Sequence, residues 1–150
     1  EYGEHGGVLV IDDYGHHPTE IGAVMAVARG FGRPVSVLFQ PHRYSRTERF
    51  AREFADSLAG ADAVGLLPVY AAGEEPRPGG DSAAIAAGLV AKGRTVDLLA
   101  GHDDIKAWLD RRAAAGALVL TLGAGDIGRQ VENICSHLDA RGTPRAGKRS

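Results

Sequence analysis

The sequence predicts a three-layer α/β domain, in which a mostly parallel sheet of about five to six strands carries helices on both faces. The chain has 150 residues, which is enough for one domain with a single core. Its 44% hydrophobic and 24% charged residues are typical of globular proteins. Short apolar runs alternate with longer alanine-rich amphipathic stretches, and this alternation indicates consecutive βα units.

The elements follow from hydrophobic periodicity and from the residues that begin and end helices. The predicted strands are residues 7–12, 34–39, 63–70, 95–100 and 117–123. The predicted helices are residues 18–32, 47–61, 81–93, 103–116 and 126–140. Pro18 suits a first helical position, Glu20 lies at the positive end of the same helix, and Asp81 suits a helix cap. The Gly- and Pro-rich residues 71–80 predict a loop.

Charge and cysteine content exclude several classes of protein. The net charge of −2 argues against wholesale nucleic-acid binding. Cys135 is the only cysteine, so no internal disulfide can form, and we predict that it packs in the core of a protein from a reducing compartment. No apolar run approaches the roughly 18 residues of a membrane span, and the first residues do not resemble a signal peptide. We expect neither a membrane nor a nucleic acid as partner.

The two ends of the chain suggest a piece of a longer protein. No initiator Met stands at the start. Residues 141–150 are basic, and they fit either an arm for nucleic acid or membranes or a solvated, frayed tail. We favour the disordered tail and place the folded domain at residues 1–140.

Polar residues collect where the predicted parallel strands end. They occupy residues 12–17, 40–46, 70–80 and 123–126, each at the carboxyl end of a predicted strand. Ligands of open parallel sheets bind outside the carboxyl ends of the strands. These four segments therefore predict one composite site.

The segment "DDYGHHPTE", residues 12–20, allows three interpretations. Asp and His can ligate zinc or iron, but adjacent histidines seldom point at one ion and no spaced pair occurs, so we predict no metal site. A carboxylate capping the next helix beside a packed histidine is the second interpretation. The third, which we favour, is a binding or catalytic loop, in which a carboxylate accepts ribose hydroxyls and a histidine contacts a polar or anionic substrate.

The segment "FQPHRYSRT" places His42, Arg43 and Arg46 before or within the start of a helix. Arginine matches carboxylate or phosphate oxygens in a bidentate manner. A solvated loop with paired arginines is the alternative. The position after a parallel strand favours anion binding.

The segment "GAGDIG", residues 123–128, matches the dinucleotide pattern G-x-G-x-x-G. That fingerprint requires a following strand ending in an acidic residue, and no such strand is evident, so we do not predict NAD binding. The segment could still bring its backbone close to a ligand and present N–H groups at the N-terminus of the following helix. The sequence contains neither a P-loop nor a G-x-S-x-G elbow. We predict that Trp108 packs in the hydrophobic core.

Three further histidines have no obvious partners in the sequence. We predict that they lie on the surface, and they are His5, His102 and His137.

Four blocks in the same order resemble the C-terminal domain of the Mur ligases. They are "DDYGHHPTEI", "LFQPHRYSRT", "VYAAGEEP…GGDS" and "GAGDIG". The first block is shared in related form with the muropeptide-recycling members of that family, whereas the second favours the alanine-adding members. The resemblance covers all of the chain except the basic tail.

The resemblance implies a Rossmann-like third domain of a bacterial cytoplasmic ligase of peptidoglycan biosynthesis. Such a ligase joins L-alanine to UDP-N-acetylmuramate with ATP, through an acyl phosphate. The UDP-binding domain and the central domain, with the P-loop and most Mg²⁺ ligands, are missing from this chain. We therefore expect ATP and Mg²⁺ to bind mainly elsewhere, nothing to bind tightly here, and the domain alone to be inactive.

The resemblance also assigns residues that face ATP and the substrate. Asp13 matches the aspartate near the ATP ribose. Tyr14 and His16 match substrate-facing residues, and His16 is the one candidate for a catalytic role, although none is assigned. Tyr70 and Glu74 are weaker candidates for the same site.

The amino-acid pocket is assigned in the same way. His42 and Arg43 match a pair that lines this pocket, and Arg43 is the better candidate for binding the alanine carboxylate. Gly125 and Asp126 are expected to line the same pocket. No residue of the chain is assigned to a metal.

Three other functions stay open from the residues alone. One is a recycling ligase that attaches a tripeptide, which requires an open pocket at His42 and Arg43. Another is a self-contained Rossmann-like nucleotide-binding or oxidoreductase module that uses "GAGDIG". The last is a non-catalytic interaction domain. This interpretation would be favoured if Asp13, His16 and Arg43 lay on different faces of the domain.

Overall fold

A computed structural model describes residues 2–142 of the chain. The strands are β1 (Tyr2–His5), β2 (Val8–Asp13), β3 (Val35–Phe39), β4 (Ala63–Leu66), β5 (Val96–Leu98) and β6 (Leu118–Leu122). The helices are α1 (Pro18–Arg29), α2 (Tyr44–Leu58), α3 (Ser82–Ala91), α4 (Ile105–Arg112) and α5 (Val131–Gly142). Short 3₁₀ helices at His102–Asp104 and Asp126–Gln130 precede α4 and α5.

Over the described residues, the strands form one sheet in the order β1-β2-β6-β3-β4-β5. All neighbouring pairs are parallel except β1 and β2, which are antiparallel. The predicted α/β class and the mostly parallel sheet are therefore confirmed. Strand β1 was not predicted, because "YGEH" has no apolar run and forms a strand only by pairing with β2.

The two faces of the sheet hold separate apolar clusters. Helices α1, α2 and α3 cover one face with residues that include Ile21, Phe54 and Ile85. Helices α4 and α5 cover the other face with residues that include Trp108 and Ile134. The predicted packing role of Trp108 is confirmed, because its side chain is fully buried.

The helix boundaries partly follow the sequence signals. Pro18 begins α1, and the side chain of Asp81 accepts a hydrogen bond from Ala83 N at 3.2 Å, as its predicted cap role requires. Helix α2 begins at Tyr44, three residues before its predicted start at Thr47. Strand β4 ends at Leu66, four residues before its predicted end at Tyr70.

The last helix extends past the predicted domain boundary at residue 140. Arg141 belongs to α5, and its guanidinium donates to Leu109 O at 3.2 Å and to Ala113 O. These hydrogen bonds connect the end of α5 to the end of α4. The predicted disordered tail otherwise falls on residues 143–150, outside the described residues.

The three histidines predicted to lie on the surface are partly exposed, and each has a carboxylate partner that the sequence did not reveal. The pairs are His5 with Asp139 at 3.0 Å, His102 with Asp126 at 3.3 Å and His137 with Asp110 at 2.9 Å. All three partners are distant in sequence, so no local pattern could reveal them. Cys135 is half-buried against the α4–α5 cluster, and burial raises the pKa of its thiol, as expected for a packing residue.

Candidate functional site

The carboxyl ends of β2, β6 and β3 lie side by side and bring the predicted segments together. Gly123 N donates to Asp13 O at 3.3 Å, and Gln40 N donates to Leu122 O at 3.0 Å. The loops after these three strands therefore begin next to one another, as the parallel sheet requires.

The loop between β2 and α1 is held by its own hydrogen bonds. Oδ2 of Asp13 accepts from Gly15 N at 2.9 Å. Glu20 Oε1 accepts from the backbone N–H groups of His16 and His17, each at 3.1 Å, and these bonds lower the pKa of Glu20. His17 Nδ1 accepts from Thr19 N at 3.2 Å and so caps α1.

The two aspartates that begin this loop point in opposite directions. Asp12 accepts a hydrogen bond from the buried Thr121 hydroxyl at 2.5 Å, whereas Asp13 bonds within its own loop. Successive side chains of a strand face opposite sides of the sheet. The described residues contain no group of three or more His, Cys, Asp or Glu side chains that could hold a metal ion.

The loop between β3 and α2 is tied to the segment after β4. Tyr70 N donates to Pro41 O, and Arg43 N donates to Tyr70 O, both at 2.8 Å. Arg43 has φ 74°, a left-handed conformation that is unfavourable for a non-glycine residue. The backbone bond to Tyr70 helps to hold Arg43 in this conformation.

Four predicted residues form a row of aromatic contacts. The rings of Tyr14 and His16 have centroids 6.3 Å apart, and those of His16 and His42 are 5.8 Å apart. His42 stacks on Tyr70 with centroids at 5.5 Å and an interplanar angle of 15°. Tyr14 is 72% exposed, so this row is accessible at the sheet edge.

The "GAGDIG" segment is fixed by Gln40, a residue that the sequence analysis did not select. Gln40 is 5% exposed, donates to Asp126 Oδ1 at 2.7 Å and accepts from Ile127 N at 2.9 Å. A Cβ at Gly125 would lie 2.6 Å from Gln40 Oε1 and 2.7 Å from Tyr70 Cγ, so only glycine fits there. The segment leads into a 3₁₀ helix at Asp126–Gln130.

Two clefts flank the aromatic row. One, of about 370 Å³, is lined by residues that include Arg43, Arg46 and Arg49. The other, of about 440 Å³, is lined by residues that include Tyr70 and Asp126. Arg43 and Asp126, predicted for one pocket, thus line different clefts.

Glu74 has a local structural role. Ser45 donates to it through both its backbone N–H, at 2.9 Å, and its hydroxyl. These bonds lower the pKa of Glu74 and place a carboxylate at the start of α2, where the helix dipole favours it.

The fold is a doubly wound α/β domain whose polar loops lie at the carboxyl ends of its parallel strands, the edge at which sheets of this kind bind ligands. A family model described as "Mur ligase, glutamate ligase domain" matches residues 1–125. The chain therefore belongs to the Mur ligase family and corresponds to its C-terminal domain. Within the described residues, no helix is both long and apolar enough to cross a membrane.

Curated relatives and solved structures agree with this placement. The chain is 44% identical over 137 residues to a UDP-N-acetylmuramate–L-alanine ligase of Desulfosudis oleivorans, covering 89% of this chain and 30% of that protein. It is 50% identical over 127 residues to the ligase of the same name from Myxococcus xanthus, covering 83% and 27%. The chain thus spans less than a third of these relatives. A murein peptide ligase of Psychrobacter arcticus shares the fold, with a TM-score of 0.72, 22% identity and coverage of 91% of this chain and 28% of that chain.

Proposed function

We propose that this chain is the C-terminal domain of an ATP-dependent ligase that joins L-alanine to UDP-N-acetylmuramate in the bacterial cytoplasm, for peptidoglycan biosynthesis. The observation that carries the proposal is 44–50% identity to proteins named for that reaction. The contact between His16 and His42 supports it, because it joins the two blocks that resemble this family most.

The proposed reaction has two displacements. An oxygen of the muramate carboxylate attacks the γ-phosphorus of ATP, and ADP leaves. The amine of L-alanine then attacks the carbonyl carbon of the acyl phosphate, and the C–O bond to phosphate breaks. Because the protein needs no nucleophile of its own, its work is positioning and stabilisation of charge.

The arginine cleft suits the carboxylate of the incoming amino acid. Arg43, Arg46 and Arg49 line one concave surface. Within residues 2–142 none of them forms an ion pair with a carboxylate. Guanidinium groups that lack a carboxylate partner attract a carboxylate and can bind it in a bidentate manner. The guanidinium of Arg46 also donates to His42. We assign Arg43 to the alanine carboxylate and place the amino acid between this cleft and His42.

Asp13 fits a contact to the ribose of ATP. Its Oδ2 accepts from Gly15 N, whereas Oδ1 accepts no hydrogen bond from residues 2–142. A ribose hydroxyl can donate to that free oxygen. The chain has no P-loop, so the phosphates and Mg²⁺, which neutralises phosphate charge, are assigned to the rest of the polypeptide.

The decisive experiment combines this chain with the missing domains. Phosphate release would be followed with ATP and UDP-N-acetylmuramate, while the amino acid is varied, for the chain alone, the other domains alone and the complete polypeptide. We expect turnover only by the complete polypeptide and only with L-alanine. A preference for the tripeptide would identify a recycling ligase, and NAD binding by the chain alone would favour a nucleotide-binding module.

A pair of arginine variants tests the pocket. In the complete polypeptide, Arg43→Ala should raise the KM for L-alanine at least about tenfold, as expected for the loss of a charged hydrogen bond of about 1.5–3 kcal/mol. Arg111→Ala removes the same charge from an exposed position on α4 and should leave KM unchanged. An unchanged KM in Arg43→Ala would reject the assignment of the alanine carboxylate.

A further inference from the structure

The hydrogen bond of His16 fixes the position of its ring proton. Its Nδ1 lies 3.2 Å from the backbone oxygen of Tyr14 and 3.9 Å from Glu20 Oε1. A carbonyl oxygen can only accept, so Nδ1 of His16 must be the donor. In the neutral ring, Nε2 of His16 then carries the lone pair.

The hydrogen bond of His42 requires the opposite tautomer. Its Nδ1 lies 3.1 Å from a guanidinium nitrogen of Arg46. A guanidinium can only donate, so Nδ1 of His42 must be the acceptor and Nε2 must carry the hydrogen. A doubly protonated His42 would lose this bond, because both of its ring nitrogens would then be donors.

The surroundings of His42 favour its neutral ring. Burial lowers the pKa of His42, and the positive charges of Arg46 and Arg43 at the start of α2 act in the same direction. His16, on the β2–α1 loop, adds to this effect only when its own ring is protonated. Glu74, on the segment after β4, opposes them more weakly. The net effect, a lowered pKa, agrees with the neutral ring that the hydrogen bond from Arg46 requires.

The two rings are close, and their outer nitrogens are available. The ring centroids are 5.8 Å apart, and within residues 2–142 neither Nε2 atom has a hydrogen-bond partner. The site therefore presents one imidazole acceptor beside one imidazole donor. An α-amino acid carries the matching groups, a proton-bearing amine and a carboxylate separated by a single carbon.

We propose that His16 and His42 act as a complementary pair, in which Nε2 of His16 accepts a proton from the attacking amine and Nε2–H of His42 donates to the carboxylate of the same amino acid. This inference rests on the proposed function. The ammonium first loses one proton to solvent. As the C–N bond forms and phosphate leaves, the nitrogen loses a second proton, which passes to Nε2 of His16. Arg46 is the positioning residue, because it sets the tautomer of His42.

Nitrogen-15 NMR of the histidine rings in this chain tests the tautomers without any ligase activity. Spectra would be recorded at about pH 8.5, roughly two units above the ordinary histidine pKa of about 6.5, where the ring is neutral. His16→Gln and His42→Gln identify the signals. We expect the proton on Nδ1 of His16 and on Nε2 of His42. The opposite tautomer at either ring overturns the proposal.

A matched pair of arginine variants tests the role of Arg46. Arg46→Met should convert His42 to a mixture of tautomers, whereas Arg52→Met, which removes an exposed charge further along α2, should not. A single unchanged tautomer in Arg46→Met would contradict the positioning role. If that variant does not fold, the wild-type spectrum alone still decides between the two tautomers.

Kinetics of the complete polypeptide test the chemical roles. His16→Gln should lower kcat by about 10²–10⁴-fold, as for loss of a general base, and should flatten the acidic limb of the pH profile. His42→Gln keeps an N–H donor and should retain a lower KM for L-alanine than His42→Leu. An unaltered pH profile in His16→Gln overturns the proton transfer. If the polypeptide ligates something other than L-alanine, the proposed function fails. The NMR spectra still decide independently whether the two histidines have the proposed tautomers.

Discussion

Replacement of Gln40 by methionine should destabilise the domain by about 2–4 kcal/mol. Methionine has a similar length but no amide, so Ile127 N loses its acceptor at 2.9 Å and Asp126 loses its donor at 2.7 Å. A buried N–H left without a partner costs about 1–3 kcal/mol, and a lost hydrogen bond to a half-exposed carboxylate adds about 1 kcal/mol. For a domain of this size, the change corresponds to a fall in melting temperature of about 5–15 °C.

Urea unfolding followed by far-UV circular dichroism would measure this change, with the slope m checked for constancy. Gln40→Glu is the discriminating variant, because it keeps an acceptor for Ile127 N but sets a carboxylate against Asp126. Two adjacent carboxylates repel when both are ionised. This variant should be least stable at neutral pH and should approach the wild type as the pH falls through about 4. A Gln40→Met protein within about 0.5 kcal/mol of the wild type would refute the reasoning.

Three further predictions concern packing, a carboxylate and the thiol. Gly65→Ala would place a Cβ 2.7 Å from Trp108 Cε2, and we expect overpacking to cost about 1–3 kcal/mol in thermal unfolding followed by tryptophan fluorescence. Ser45→Ala should return the pKa of Glu74 toward its ordinary value. Because the folded-state pKa of Glu74 is depressed, its stabilisation is present above the unfolded pKa and is lost as the pH falls through the folded pKa, so urea midpoints of the two proteins should differ at neutral pH and converge in acid. Cys135, whose thiol pKa is raised by burial, should react with iodoacetamide at neutral pH more slowly than a free thiol.

Specific outcomes would contradict these three expectations. Gly101→Ala is the control for the packing variant, because a Cβ at Gly101 meets no atom within 4 Å. Equal stabilities of the two glycine variants would mean that the indole moves aside at no cost. A stability difference for Ser45→Ala that persists in acid would mean that the hydroxyl acts independently of the Glu74 charge. Fast alkylation of Cys135 in the native protein would show that α5 opens readily.

The parts of the fold that depend on local sequence could be predicted. Apolar periodicity located the five βα units, and Pro18 and Asp81 marked two helix starts. Strand β1 could not be predicted, because its four residues become a strand only through pairing with β2. The early start of α2 depends on the unusual φ of Arg43, which no sequence pattern signals.

The site shows the same division between local and distant information. The sequence predicted that the loops meet, because parallel strands share a carboxyl edge, and it selected the contacting residues His16, His42 and Tyr70. Gln40 was included in the segment 40–46 but was not selected individually, since its partners lie 86 and 87 residues away and a glutamine after a strand has many uses. The separation of Arg43 from Asp126 into two clefts likewise depends on side-chain packing.

The position of β6 has a consequence for synthesis of the chain. This strand is the last of the sheet to leave the ribosome, yet it lies between β2 and β3 and pairs with both. Until residues 118–122 emerge, the two loops that carry the histidine pair flank a gap, and the apolar edges beside that gap have no partner. The nascent domain therefore cannot assemble strand by strand from its N-terminus. Its sheet closes in one late step, and the binding edge comes into existence in that same step.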